Sequence, residues 1–419
     1  MGLKPGYKQT EAGPLPKDWD ATRLGAFVKI TSGASPSLFR FSGSGIPYFK
    51  VEQLSNSEKY LSATDTPYQF ERGDTVPANS VVFAKRGAAI ALNKVRILKE
   101  ESFMDTNLMA LTPQGGLDCE YLYYALAHIG LWRFADTTSV PQINNKHVKP
   151  LPFPLPCPDE QKAIAGALAD VDALLEGLDR LIGKKRDIKQ AAMQQLLTGQ
   201  TRLPGFSGEW KFVRLGDHVT FLRNGVNSRA ELLPEGSVRY LHYGDIHASG
   251  ATHIAARDLP FLPSAKASRL DRLRDGDLIF ADASEDLEGV SKSVELRDIG
   301  DPVEVVSGLH TIAARFDKAV LADGFKGFLQ YIPMFAAHLR RLAAGTKVYA
   351  TNRAHVASAE IPLPSTNEQR AIAKVLSDMD AELAALDARR DKTRNLKQAM
   401  MQELLTGKTR LVPTGGARV

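Results

Sequence analysis

Several things are scarce in this chain, and each scarcity narrows its function. Only two cysteines occur in 419 residues, Cys119 and Cys157. They form neither a disulfide framework nor a zinc spacing, so a reducing cytosol is expected. No apolar run approaches the roughly 18 residues of a membrane span, and the first 20 residues lack a signal-peptide core. A soluble, cytoplasmic protein without membrane contact is the expectation. No Gly-x-Gly-x-x-Gly follows a strand, and no Asn/Asp-Pro-Pro-aromatic tetrapeptide of the amino-methyltransferase kind occurs. Thr406-Gly407-Lys408-Thr409 has the ending of a phosphate loop, but Gln402 stands where a glycine is required. The nine histidines include no i, i+4 pair around a glutamate, and His242, His247 and His253 are too loosely spaced for a metal site. No catalytic centre, metal or cofactor is expected on this chain. A strong charge of one sign is missing too: the formal net charge is +5, compatible with a polyanionic partner but too mild to demand one.

Repetition, by contrast, is abundant. EQKAIAGALADVDALLEGLD, from Glu160, closes as IKQAAMQQLLTGQTRL at Leu203; EQRAIAKVLSDMDAELAALD, from Glu368, closes as LKQAMMQELLTGKTRL at Leu411. The copies align without a gap at an offset of 208, with 26 of 44 positions identical. Each reads as one long helix, with Gly199 and Gly407 where a C-terminal stop belongs. Nearly 40 residues at 1.5 Å each make a rod of roughly 55–60 Å. The apolar seam comprises Ile164, Leu168, Val171, Leu175, Leu178 and Ile182 in the first copy. In the second it comprises Ile372, Leu376, Met379, Leu383 and Leu386. Leu174, Leu181 and Ile188 take a second heptad position and are expected to share the buried stripe.

Charge along each helix runs from acidic to basic. Asp170, Asp172, Glu176 and Asp179 precede Lys184, Lys185, Arg186 and Lys189; Asp378, Asp380, Glu382 and Asp387 precede Arg389, Arg390, Lys392, Arg394 and Lys397. Packed antiparallel, acidic halves lie beside basic halves; packed parallel, like faces like. The antiparallel arrangement is therefore expected. The competing reading makes these charges solvated faces and packs the stripe on a globular domain.

The repeat continues outside the helices. Trp19 precedes Arg23-Leu24-Gly25 as Trp210 precedes Arg214-Leu215-Gly216, and Val140…His147-Val148 matches Val348…His355-Val356. Extended segments, Pro150 to Pro158 and Ile361 to Pro364, lead into the helices. Between these anchors the domains diverge, although Val81–Ala84 and Leu278–Ala281 read as corresponding buried strands. Tyr121 to Ile129 and Phe325 to Leu339 read as helices, the second interrupted by Pro333. The expected fold is α+β: two globular mixed domains joined by two long helices packed as an antiparallel coiled coil, with a pseudo-two-fold internal repeat. The segments are 1–157, first domain; 158–200, central helix; 201–365, second domain; 366–412, C-terminal helix; and 413–419, tail.

GYKQTEAGPLPKDW, the paired helix entries LPFPLPCPDEQKAIA and IPLPSTNEQRAIA, and the paired LLTG-x-TRL endings resemble the DNA specificity subunits of type I restriction–modification systems. The resemblance covers essentially the whole chain. It implies a non-catalytic subunit with two target recognition domains, each reading one half of a bipartite DNA site. The helices would form a spacer docking two methyltransferase subunits, on which S-adenosylmethionine would be bound, and restriction subunits would complete the endonuclease. Half-sites one turn of B-DNA apart lie about 34 Å from centre to centre, a distance such a rod can span. Alternatives are a coiled-coil scaffold that never touches nucleic acid, or the specificity subunit of a related non-type-I modification system.

Phosphate and base contacts favour Lys, Arg, Asn and Gln. In the first domain these are Lys85 and Arg86, in a loop directly after a strand, and the cluster Gln142, Asn144, Asn145 and Lys146. Their second-domain counterparts include Lys347, Tyr349, Asn352 and Arg353. The competing reading of each is an ordinary solvated loop. Asn107 and His310 lie in roughly matching regions and are weaker candidates. The acidic run Asp282 to Gly289 offers carboxylates to a cytosine amino group, to a cation, or simply to neighbouring Lys292.

Overall fold

The computed structural model describes residues 5–38, 41–42, 44–71, 73–136, 140–300, 302–343, 345 and 348–412. Lys347 and the tail expected over 413–419 lie outside them. The repeated sequences become two unbroken helices, Pro158–Leu196 and Thr366–Leu404, each 39 residues long and offset by the same 208. Carboxylates occupy both first turns, Asp159 and Glu160 in one and Glu368 in the other, where the helix dipole favours them. Both helices end at a glycine in the left-handed region, Gly199 at φ +71° and Gly407 at +68°.

The chain divides into two compact units, Met1–Asp179 with Ala388–Val419, and Arg180–Asp387. Each unit takes the start of one helix and the end of the other. In the first unit Asp172 pairs with Lys397 at 2.5 Å and Asp179 with Arg390 at 3.6 Å. In the second, Lys185 pairs with Glu382 at 2.7 Å and Lys189 with Asp380. Numbers climb on one helix as they fall on the other, so the packing is antiparallel and acidic turns meet basic ones.

Ile164 and Leu168 enter the first unit's core with Leu404 and Leu405; Ile372 and Leu376 enter the second's with Leu196 and Leu197. Leu178 and Ile182 are buried, while Val171, Leu175, Met379, Leu383 and Leu386 are half-buried. The stripe is narrower than expected. Leu174, Leu181 and Ile188 are 43, 40 and 43% exposed, because pairing two helices covers one seam and leaves its flank open.

Each unit carries the same five-stranded sheet. In the first the order is Val28–Ser32, Leu108–Pro113, Val81–Ala84, Val95–Leu98, Tyr60–Leu61. In the second it is Val219–Leu222, Thr311–Phe316, Leu278–Ala281, Ser293–Arg297, His253–Ala255. Every pairing is antiparallel except the last in each, which is parallel. The central strands Val81–Ala84 and Leu278–Ala281 are buried throughout, explaining their unbroken apolar sequences. The segments leading into the helices form strands Pro152–Leu155 and Glu360–Leu363, paired with Asp20–Arg23 and Lys211–Arg214. Pro333 does not interrupt a helix; it opens one, Pro333–Leu342, at the position where its missing N–H costs nothing.

The repeated Glu-Gln and Thr-Arg-Leu motifs lock these parts together. Fully buried Glu160 accepts from Trp19 Nε1 at 2.7 Å and from Arg410 Nη2 at 2.7 Å. Glu368, 1% exposed, accepts from Arg202 Nη2 at 2.6 Å. A buried carboxylate needs such a partner, and in both units the arginine comes from the end of the other helix. Gln161 and Gln369 do the same for backbone. Each Oε1 accepts from a loop N–H, Asp118 or Ala322, at 2.8 Å, and each Nε2 donates to a proline carbonyl.

Candidate nucleic-acid interface

The candidate residues gather where the central strand of each sheet runs into a polar loop. In the first unit the Lys85 N–H donates to the Asn107 carbonyl and the Lys85 carbonyl accepts from the Ile143 N–H, both at 2.8 Å. Arg86 then bridges to Gln142, and Gly87 turns the chain at φ +75° while donating to the Pro141 carbonyl. Two stretches more than fifty residues apart in sequence thereby become neighbours. Arg86, Asn144, Asn145 and Lys146 are exposed there, and Lys85 and Gln142 are half-buried. Burial lowers the pKa of Lys85, with the Asp105 carboxylate acting in the opposite sense.

The second unit repeats the two backbone bonds made by Lys85 and the bridge that follows them. The Asp282 N–H donates to the His310 carbonyl at 3.1 Å, and the Asp282 carbonyl accepts from the Thr351 N–H at 2.8 Å. Ala283 and Ser284 then pair with Ala350 and Tyr349. Asp282 therefore occupies the position of Lys85, His310 that of Asn107, and Ala350 that of Gln142. The His310 Nδ1 lies 3.2 Å from Asp282 Oδ1.

Not every candidate is free to reach a ligand. Asn352 Oδ1 caps the helix Arg353–Ala357 by accepting from the His355 N–H at 2.9 Å. Arg353 donates to the Leu222 carbonyl at 2.7 Å and to Asn224 Oδ1 at 3.2 Å, tying that helix to the sheet edge. Asn144 donates its backbone N–H to His147 Nδ1 at the start of the matching helix, Asn145–Val148. The backbone of Gln142 is engaged twice by Asp136. Tyr349 is half-buried in the short ladder with Ser284.

Beside the second loop lies a cavity of about 540 Å³ lined by Tyr243, His247, Ser284, Glu285, Asp286 and His310. Its walls are partly aromatic, with Tyr243 edge-on to His310 at 5.5 Å between ring centres. Sequence reading missed Tyr243, because no motif marks an aromatic on the short helix Tyr243–Ala248 as facing a loop sixty residues later. The first unit has a smaller hollow at the corresponding loop, about 290 Å³, lined by Gly87, Ala91, Trp132 and Asp136 among others. Among the described residues, no group of three or more His, Cys, Asp or Glu is arranged to hold a metal ion. No described helix is long and apolar enough to cross a membrane.

Comparison with known proteins agrees with this geometry. Residues 16–182 match the family model described as the type I restriction modification DNA specificity domain. The type I restriction enzyme MjaVIII specificity subunit of Methanocaldococcus jannaschii is 23% identical, covering 97% of this chain and 96% of that protein. A putative MjaX specificity subunit from the same organism is also 23% identical, covering 97% of both. Among solved structures, the type I restriction–modification S subunit from M. genitalium shares the fold. Its TM-score is 0.57 at 15% identity, covering 96% of this chain and 98% of that one. In a sequence domain matched over 16–182, in relatives similar end to end and in its fold, this chain is similar to the DNA specificity subunits of type I restriction–modification systems.

Proposed function

We propose that the chain is the non-catalytic DNA-reading subunit of a type I restriction–modification complex, with each unit reading one half of an asymmetric bipartite target. One observation carries this: a constant frame holds unlike loops. The two units share sheet order, helix entry and buried Glu–Arg lock, yet present different side chains at loop positions equivalent in hydrogen bonding. A scaffold has no use for such divergence on a fixed frame. A pair of readers for two different half-sites requires it.

Base contacts specify and phosphate contacts position. Arg86, Asn144, Asn145 and Lys146 are the exposed first-unit groups suited to either task. Two methyltransferase subunits would dock on the long helices, where in the second unit Leu181 and Ile188 stand uncovered one heptad apart. Methyl transfer from S-adenosylmethionine would belong to those partners, and cleavage to restriction subunits added to the same core. Cytoplasmic action follows from a chromosomal substrate.

Methylome sequencing of cells expressing the chain with its cognate methyltransferase tests this reading. The expected result is a methylated motif of two unlike halves separated by unspecified bases. No methylated motif, or a single contiguous one, would overturn it.

A further inference from the structure

The two loops hold opposite chemistry at one position of a common frame. Lys85 and Asp282 both follow a buried central strand. Both donate their N–H to the residue heading the neighbouring strand's loop, and both accept at the carbonyl from the returning segment. This backbone agreement fixes where each Cβ sits within its unit, so exchanging an ammonium for a carboxylate there changes what the loop can read and little else. The neighbour changes in step, from Asn107 to His310.

We propose that this position is a specificity determinant in each unit, with Lys85 reading a base-edge acceptor in one half-site and Asp282 reading an exocyclic amino group in the other. The inference rests on the DNA-reading function proposed above. The major-groove edge of guanine offers O6 and N7 to a lysine, whereas cytosine N4 and adenine N6 offer hydrogens to a carboxylate. Asp282 is equipped for the second task. Its side chain is 31% exposed, and His310 holds one carboxylate oxygen at 3.2 Å. The adjoining cavity, walled by the rings of Tyr243, His247 and His310 beside Ser284, Glu285 and Asp286, gives a partly aromatic rim against which a base can rest. Lys85 is half-buried, so its ammonium has shed part of its hydration before meeting an acceptor and loses less on contact.

The test uses the chain in complex with its cognate methyltransferase and a DNA duplex library randomised across both half-sites, methylated and then sequenced. Three complexes are compared: the natural chain, Asp282→Asn and Lys85→Gln. Both substitutions keep the side chain polar at loop positions where the backbone makes the structural bonds. Co-purification with the methyltransferase confirms that each variant is assembled. Asp282→Asn is expected to relax preference at one base pair of one half-site by roughly 5- to 150-fold, the discrimination of one good base contact. That base pair should carry cytosine or adenine on the strand read, and the library tells which. Lys85→Gln should relax one guanine in the other half-site to a similar degree. Unchanged preference in both variants would overturn the inference, as would equal weakening across all sequences, which marks a phosphate contact. Failure of the parent reading looks different: the natural complex would then show no preferred sequence at all, and the inference would fall with it.

Discussion

Arg202→Met should damage the second unit more than its surface position suggests. Glu368 is 1% exposed, and its two carboxylate oxygens are taken by Nε and Nη2 of Arg202. No other partner of that carboxylate occurs among the described residues. Arg202 also donates Nη1 to the Gly208 carbonyl at 2.6 Å and lies over the Trp210 ring at 5.8 Å. Methionine keeps the apolar stem but strands a buried charge, a loss of about 3–5 kcal/mol. Native-state hydrogen exchange reads this locally. Amides at the start of the helix Thr366–Leu404 should exchange about a hundred to several thousand times faster where they open with the unit. Arg410→Met should be milder by about 1–2 kcal/mol, since Glu160 keeps its bond from Trp19 Nε1. Restoring neutrality with Arg202→Met and Glu368→Leu together should recover most of the loss, as apolar pairs often replace buried ion pairs without penalty. Exchange accelerated less than fivefold in Arg202→Met, or a double variant no better than the single, would refute the reasoning.

Gly166 lies within the first long helix with nothing within 4 Å of an added Cβ, so Gly166→Ala should stabilise by about 0.5–1 kcal/mol in urea denaturation. Gly407→Ala should do the opposite, since φ is +68° and the new Cβ would meet Pro16 Cγ at 2.5 Å; a lowered melting temperature checks it. Burial, ahead of neighbouring arginines, lowers the pKa of His242 and His253 from 6.5. The unfolded chain then binds more protons near that pH, so stability should decline as pH falls from about 7 to 5, and denaturation midpoints across that window measure it. Inserting about one heptad in both long helices should change the number of unspecified bases in the methylated motif; an unchanged spacer would show that helix length does not set it.

What could be read from the sequence was whatever repeats or alternates. Twenty-six identities at a constant offset exposed the two helices, and the acid-to-base gradient along each was enough to orient them, because the opposite orientation sets like charges together. The motifs' purpose was hidden. Glu160 and Arg410 meet across 250 residues, and neither periodicity nor propensity links positions that distant. The equivalence of Lys85 and Asp282 was hidden for another reason. Their offset is 197 whereas Gln142 and Ala350 keep 208, so the register slips between anchors and only the hydrogen-bonded frame restores it. The structural bonds of Asn352 and Arg353 were also hidden, because the side chains that bind phosphate also cap helices and tie down loops, and composition does not separate the two uses.

The same hydrogen bonds explain why the motifs repeat at all. The first unit's core contains Leu404 and Leu405, its buried Glu160 awaits Arg410, and Tyr7 donates its hydroxyl to the Gly407 carbonyl at 2.7 Å. A unit begun by the first residues of the chain is thus completed by nearly the last. The second unit needs only Leu196, Leu197 and Arg202, which adjoin its own sequence. The Glu160–Arg410 contact closes 250 residues and the Glu368–Arg202 contact 166, so by loop-closure entropy the two costs differ by less than about 0.6 kcal/mol. A Glu160 held by Trp19 but lacking its arginine opposes any state in which residues 1–179 condense alone, and the arginine that relieves it arrives on the end of the other helix. Keeping Glu-Gln at each helix entry and Thr-Arg-Leu at each exit is then a condition on assembly. Each unit is finished only when the opposite helix is in place, and each loop is presented on a frame already closed.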